Sequence, residues 1–433
     1  MGLMAEKDLS RELEIDRQFL SLAKGRTKPP TVADYEKSAR GPRAKQMQRM
    51  MKKFFGFEPK IDSKVGHELA MTNWVGDPLS DVAILKIRRS GVNPHKVINQ
   101  MIEKGIDGVE NPPEELVAIW KEVSEDPEWL DWDKLELGAK AYRRFGVLGF
   151  QFQGINTIDS YRVETIARVL MSTGQYSDET AFKRFVLTCN FWLQISEPGG
   201  MRPYAEGWKV SLRVRLLHTL IRRAVFANKR WDAEHLGTPI NQLGMMAAPL
   251  MSSLMLGKFT HLIGFRTTDT EIEAMMHLWR YIAYIMGYSS PHFPTTVDEA
   301  LQTVFHAFNL SPLTDDPDGI RLGQSFLAAF RPTGKQKGWE KVKRWWEYKV
   351  NIAQTLFFVQ PETRKLIKSP NPVFWGMIYW LTHAPIYFLQ DRKRHKSAAY
   401  WEELDKRVSA QRRAWLNRQL GESDLLYRPE SKF

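Results

Sequence analysis

The chain has 433 residues, 43% of them hydrophobic and 12% aromatic, which is too apolar for disorder and long enough for one large helical domain or two smaller ones. Its net charge of +12 sits mostly at the ends: residues 1–60 carry 14 Lys/Arg against 8 Asp/Glu, and residues 391–433 carry 11 against 7. A single cysteine, Cys189, excludes an intrachain disulfide, a cysteine-rich metal site and the two-cysteine attachment of a c-type haem.

The start, MGLMAEKDLSRELEIDRQF, lacks the apolar core of a signal peptide. Glu6 stands where a myristoylation motif after Gly2 needs serine or threonine, so the expected location is cytoplasmic. Breaks at KGRTKPP and ARGPRAK make residues 1–60 a basic arm with short helices. Helical spacing dominates from there on, with no convincing run of alternating strand residues. Helices are predicted to begin at DPLSDVAILKIRRS, PHKVINQMIEKG and NPPEELVAIWKEVSE, where prolines suit the first turn. Another is predicted through DKLELGAKAYRRFGVLGFQF. Thr268 with Glu271, and Thr296 with Glu299, have capping-box spacing, while Gly287 and Gly334 mark stops. The expected architecture is all-α: a single large helical domain over residues 61–390, preceded by the basic arm and followed by a basic helical extension, 391–433.

Late in the chain, VFWGMIYWLTHAPIYFLQ (Val373 to Gln390) carries no acidic residue, lysine or arginine and runs directly into DRKRHK. His383, Pro385 and the Trp/Tyr content argue against a simple membrane span. Two readings stay open: an apolar core helix, or an interfacial anchor in peripheral contact with a membrane. The basic ends suit an anionic surface, but no helix-turn-helix or aromatic stacking motif points to nucleic acid.

The chemistry centres on KVSLRVRLLHTLIRRAVF, Lys209 to Phe226. At 100° per residue, Val210, Val214, Ile221 and Val225 share a side with His218, while Leu212, Leu216 and Leu220 cover the back. Arg215 and Arg222 flank the histidine along one edge. An imidazole on an aliphatic stripe beside two guanidiniums suits a haem, with His218 as axial ligand and the arginines pairing with propionates. A hydrogen-bonded core histidine, with both arginines in ion pairs inside the bundle, fits the same pattern. Other metal chemistry finds less support: there is no paired Glu-x-x-His, no HExxH, no Gly-rich phosphate loop and no GxSxG elbow. Cys189, in the bulky run FVLTCNFW, reads as a structural cysteine.

The words GDPLSD (76–81), PEWLDWDKLELGAKAYRRFG (127–146), RVRLLHTLIRR (213–223), GTPINQ (237–242) and the run 271–288 occur in an order that resembles the rubber-oxygenase or latex-clearing-protein family, with the membrane-bound MpaB-type oxygenases. The resemblance covers about residues 75–330. It implies an all-α, globin-like haem-binding bundle with one haem b, His218 as the proximal iron ligand, and Arg215 and Arg222 at the haem rim. It further implies oxidative cleavage by O2 of a carbon–carbon double bond in an apolar, isoprenoid-like substrate. The family's oxygen-side Arg, Lys and Thr cluster falls on TIARVLMSTGQY (165–176), giving Arg168 and Thr173 as catalytic candidates. Met171 and Ser172 stand where the lysine is expected, a departure that bears on polyisoprene as substrate. Two further classes compete with the oxygenase: a haem carrier or sensor without catalysis, and a haem-free basic module that binds membranes.

Overall fold

The structure, a computed structural model, describes residues 2–172, 178–332 and 337–420. It is all-α; among the described residues the only strand-like pairing is an isolated bridge between Val163 and Leu313. Two of the three proline starts hold as predicted, and at the third Pro113 stands at the N-cap, just ahead of the Glu114–Ser124 helix. Asp77 caps the Pro78–Arg89 helix through the Ser80 amide and Asn93 caps Pro94–Lys104, each with proline in the first turn. Both capping boxes form, opening the Asp269–Ile285 and Val297–Asn309 helices. Gly287 adopts a positive φ just beyond the first of these, whereas Gly334 lies outside the described residues.

One predicted helix is two. The DKLELGAKAYRRFGVLGFQF stretch divides into Trp132–Arg143 and Gly146–Ser160, because Gly146 turns left-handed at φ +59. The break lets consecutive arginines reach separate partners. Arg143 grips Asp405 with two bonds of 2.8 Å, and Arg144 donates to buried Asp391 at 2.7 Å.

Both basic ends join the central core. Tyr35, Met47 and Met51 from the first sixty residues, and Trp415 and Leu416 from the Ala398–Leu420 helix, belong to the same apolar cluster as the middle of the chain. The N-terminal helix, Gly2–Ser21, is longer than the short helices expected there, and it is fastened by Asp16 to Arg223 and Arg89. The uncharged late segment forms Val373–Arg394, buried along one side only. No described helix is long and apolar enough to cross a membrane.

Candidate functional site

The stretch 209–226 folds into the Glu206–Phe226 helix, about 30 Å long, at the centre of the molecule. Its faces differ largely as the spacing requires, except that Val225, expected beside His218, is buried in a small cluster of its own. Leu212, Leu216 and Leu220 are buried on the back, while Val210, Val214, His218 and Ile221 all keep accessible surface. His218 nevertheless lies deep in the protein: burial, followed by the charge of Arg222, lowers its pKa to about 4. Its Nδ1 is sealed from solvent and has no hydrogen-bond partner, so the accessible surface lies elsewhere on the residue. An unpartnered buried polar atom costs about 1–3 kcal/mol, a cost that no protein group offsets at this ring.

The other histidines on apolar helices are different. His306 pairs with the Tyr35 hydroxyl at Nδ1 and with the Gln302 amide at Nε2, and His277 Nε2 accepts from the Asp131 amide at 3.0 Å. His261 Nε2 pairs with the Thr267 carbonyl. These are satisfied side chains with structural partners.

Four of the words singled out in the sequence meet around this helix. Arg215 Nε donates to Asp77 Oδ2 at 2.7 Å, its Nη2 reaches Asp77 Oδ1 at 3.2 Å, and Glu122 stands 3.5 Å away. Arg222 Nη1 donates to Asp81 Oδ1 at 2.5 Å, and its Nε faces the carbonyl oxygens of Pro239 and Ile240. Between them, the Ser80 and Thr219 hydroxyls lie 2.8 Å apart. Gln242 joins the remaining words: its amide donates to the Gly76 and Gly287 carbonyls, and its oxygen accepts from Ser289 N–H. This buried brace fixes the rotation and depth of the helix, and hence the direction of His218.

The brace gives both arginines protein partners. Both guanidiniums are engaged by carboxylates from the Pro78–Arg89 helix and its cap, so the structure shows them first as ion-pair partners. Arg215 retains a buried Nη1 without a partner. Burial weakens its charged form, but Asp77 and Glu122 outweigh that and raise its pKa. Asp81, Asp77 and Gln242 were present in the quoted words without a role. Their signal was the pair of aspartates four residues apart, which share a helix face.

Arg168 has ion-pair partners of its own. It lies on the Glu164–Ser172 helix, whose Val169 joins Ile221, Val225 and Trp231 in a small apolar cluster, so the segment does pack beside the histidine helix. The guanidinium itself is 37% exposed and paired with Asp316 at 3.0 Å, with Glu164 and Asp318 within 4 Å. No bond joins it to His218. Thr173 lies outside the described residues. Cys189 is buried in the core, where burial holds its thiol protonated.

The chain is similar to known proteins in sequence and in fold. The chain is 20% identical over 191 residues to a rubber oxygenase of Streptomyces sp. (strain K30), an alignment that covers 43% of this chain and 46% of that protein. The chain thus spans about half the length of the curated relative it matches. The solved structure of a latex clearing protein in its closed state superposes with a TM-score of 0.54 over 82% of this chain and 93% of that one, at 15% identity, so the two share a fold. Residues 163–416, more than half of the chain, match the family described as ER-bound oxygenase mpaB/B'/Rubber oxygenase, catalytic domain. That span starts after GDPLSD and PEWLDW and ends inside the last described helix, and the chain belongs to this family.

Proposed function

We propose that the protein is a b-type haem oxygenase that uses O2 to cleave a carbon–carbon double bond in an apolar, isoprenoid-like molecule, leaving two carbonyl groups. The observation that carries this reading is His218: a deep, neutral imidazole that keeps some accessible surface on a partly accessible aliphatic stripe. When bound, haem would supply the iron that activates dioxygen. The residues present fit that group. A ring held neutral at pH 7 has a nitrogen lone pair free for a metal. Val210, Val214 and Ile221 offer apolar surface to a flat macrocycle and keep water from it. Arg215, with its free Nη1, is the candidate donor to an anionic substituent of the group. Asp77 and Asp81, acting through Arg215 and Arg222, hold the helix in register. The family supports oxygen chemistry and an apolar substrate.

The reading includes peripheral contact with a membrane, supported by the half-buried helix Val373–Arg394 and its basic C-terminal turn. Oxygen uptake by the purified protein with unsaturated apolar compounds, followed by detection of aldehyde or ketone products, tests the reaction. Uptake matched by carbonyl formation is expected. A haem-loaded protein that consumes no oxygen with any such compound would instead favour a carrier or sensor.

A further inference from the structure

The large apolar side chains that stay exposed are not scattered. Of the 22 among the described residues, 12 lie on two helices, Gly338–Phe358 and Val373–Arg394, which together hold 43 residues. That concentration makes one patch rather than ordinary surface exposure. The two helices pack on each other, and Trp375 joins them, its ring 5.2 Å from that of Trp345. Trp339 is 70% exposed, Phe374 65% and Leu381 61%, with Met377 and Trp380 beside them.

We propose that the outward faces of these two helices form a docking surface for an anionic lipid bilayer, which they enter to headgroup depth without crossing. The inference deepens the peripheral-membrane part of the proposed function and is independent of haem. Three observations choose lipid over a protein partner.

The first is charge. The segment KGWEKVKRWWEYK (337–349) interleaves four lysines and one arginine with three tryptophans and two glutamates. Lys337, Lys341 and Lys343 are exposed, as are Lys365 and Lys368 between the helices and Arg392 and Lys393 at the end of the second. The acids are partly spent inside: Glu347 lies beside Arg344, and Asp391 is buried between Arg144 and Arg394. Lysine is depleted at protein–protein interfaces but favoured beside anionic headgroups.

The second is the residue type at the rim. Indole rings place an apolar body and a polar N–H at one boundary, which suits the headgroup zone. Lys349 holds its ammonium 5.0 Å over the Trp345 ring and 5.2 Å over that of Trp375, a cation–π arrangement.

The third is mechanical. The Val373–Arg394 helix cannot leave the body to span a bilayer. Gly376, Tyr379 and Ala384 are buried on its inner side, and its last turns are tied by Asp391 to Arg144 and by Arg394 to Glu271. What remains is a helix pair lying flat with its apolar side outward.

Co-sedimentation of the full-length protein with phosphatidylcholine vesicles, with and without phosphatidylserine, tests the surface. Binding is expected to be roughly tenfold stronger with phosphatidylserine at low salt and to weaken as salt rises. The pair Phe374→Ser and Leu381→Ser should abolish most binding, and Lys341→Glu with Lys343→Glu should remove the preference for the anionic lipid. All four side chains are exposed, so helicity and melting should match wild type. Vesicle binding that survives both pairs would overturn this face while leaving peripheral contact in place. Absence of binding to any vesicle would remove both. A lipid-free dimer that the serine pair dissolves, and that vesicles do not displace, would assign the face to a second copy of the chain and overturn the proposal.

Discussion

Arg215 and Asp77 form a two-bonded buried pair, at 2.7 and 3.2 Å, three residues before His218 on the same helix. The pair joins the cap of one helix to the middle of another across 138 residues of sequence. Because both partners are nearly inaccessible, the interaction is screened little and its geometry matters more than its count. The direction of His218 depends on it.

Removing one partner should therefore be costly. Asp77→Ala leaves Arg215 buried with only Glu122 nearby, and loss of one member of a buried pair typically costs about 3–5 kcal/mol. Denaturant unfolding of the haem-free protein should show a loss of that size. A change under about 1 kcal/mol, the range of exposed pairs, would contradict the brace.

Gly287 makes a sharper test. Its φ is +89, and a Cβ there would lie 2.3 Å from Asp77 Oδ2 and 2.9 Å from Arg215 Nε. Gly91 has a similar φ of +78 with open space around it. Alanine at Gly91 should cost only the backbone term, about 1–2 kcal/mol, whereas alanine at Gly287 should cost clearly more. Equal melting shifts for the two variants would show that the ion pair yields without penalty.

His306 gives a pH prediction. Burial lowers its pKa to about 4, against a weaker opposite pull from Asp62. The folded value is depressed, so between pH 6.5 and 4 the unfolded chain binds more protons than the folded one. The stability contributed by the neutral ring is complete above about pH 6.5 and is lost as pH falls toward 4, on the order of 3 kcal/mol in all. Unfolding midpoints measured from pH 7 to 4 should fall along this window, and His306→Gln should reduce the slope without abolishing it, because buried His218 titrates over the same range. An unchanged slope in the variant would place the titration elsewhere.

Much of the fold could be read from local sequence. Proline starts and threonine–glutamate boxes act within one helical turn, so their outcome needs no tertiary knowledge. The break at Gly146 was hidden because one glycine inside a helical pattern is tolerated, and only the packing of both arginines on distant acids decides it. The histidine and its stripe were legible as a periodic pattern, but the arginines' partners lay on the Pro78–Arg89 helix and its cap, which periodicity does not rank. The lipid face was half legible. Its uncharged helix stood out, while Trp339, Trp345 and Trp346 passed unnoticed among lysines, since exposure is a property of the folded chain.

With its guanidinium bound by Asp316 and partly solvated, Arg168→Ala should leave haem content and oxygen uptake near wild type. Stability should change by less than about 1 kcal/mol. A hundredfold fall in turnover at full haem content would return the residue to the oxygen side of the site.

The central claim is that His218 binds haem iron, and the absorption spectrum of His218→Ala tests it most directly. Purified wild-type protein should show a Soret band that shifts on reduction, and the His218→Ala variant should be folded and nearly colourless. His277→Ala and His306→Ala should keep the band, because those rings already have protein partners. A His218→Ala protein with full haem and an unchanged spectrum would contradict the assignment.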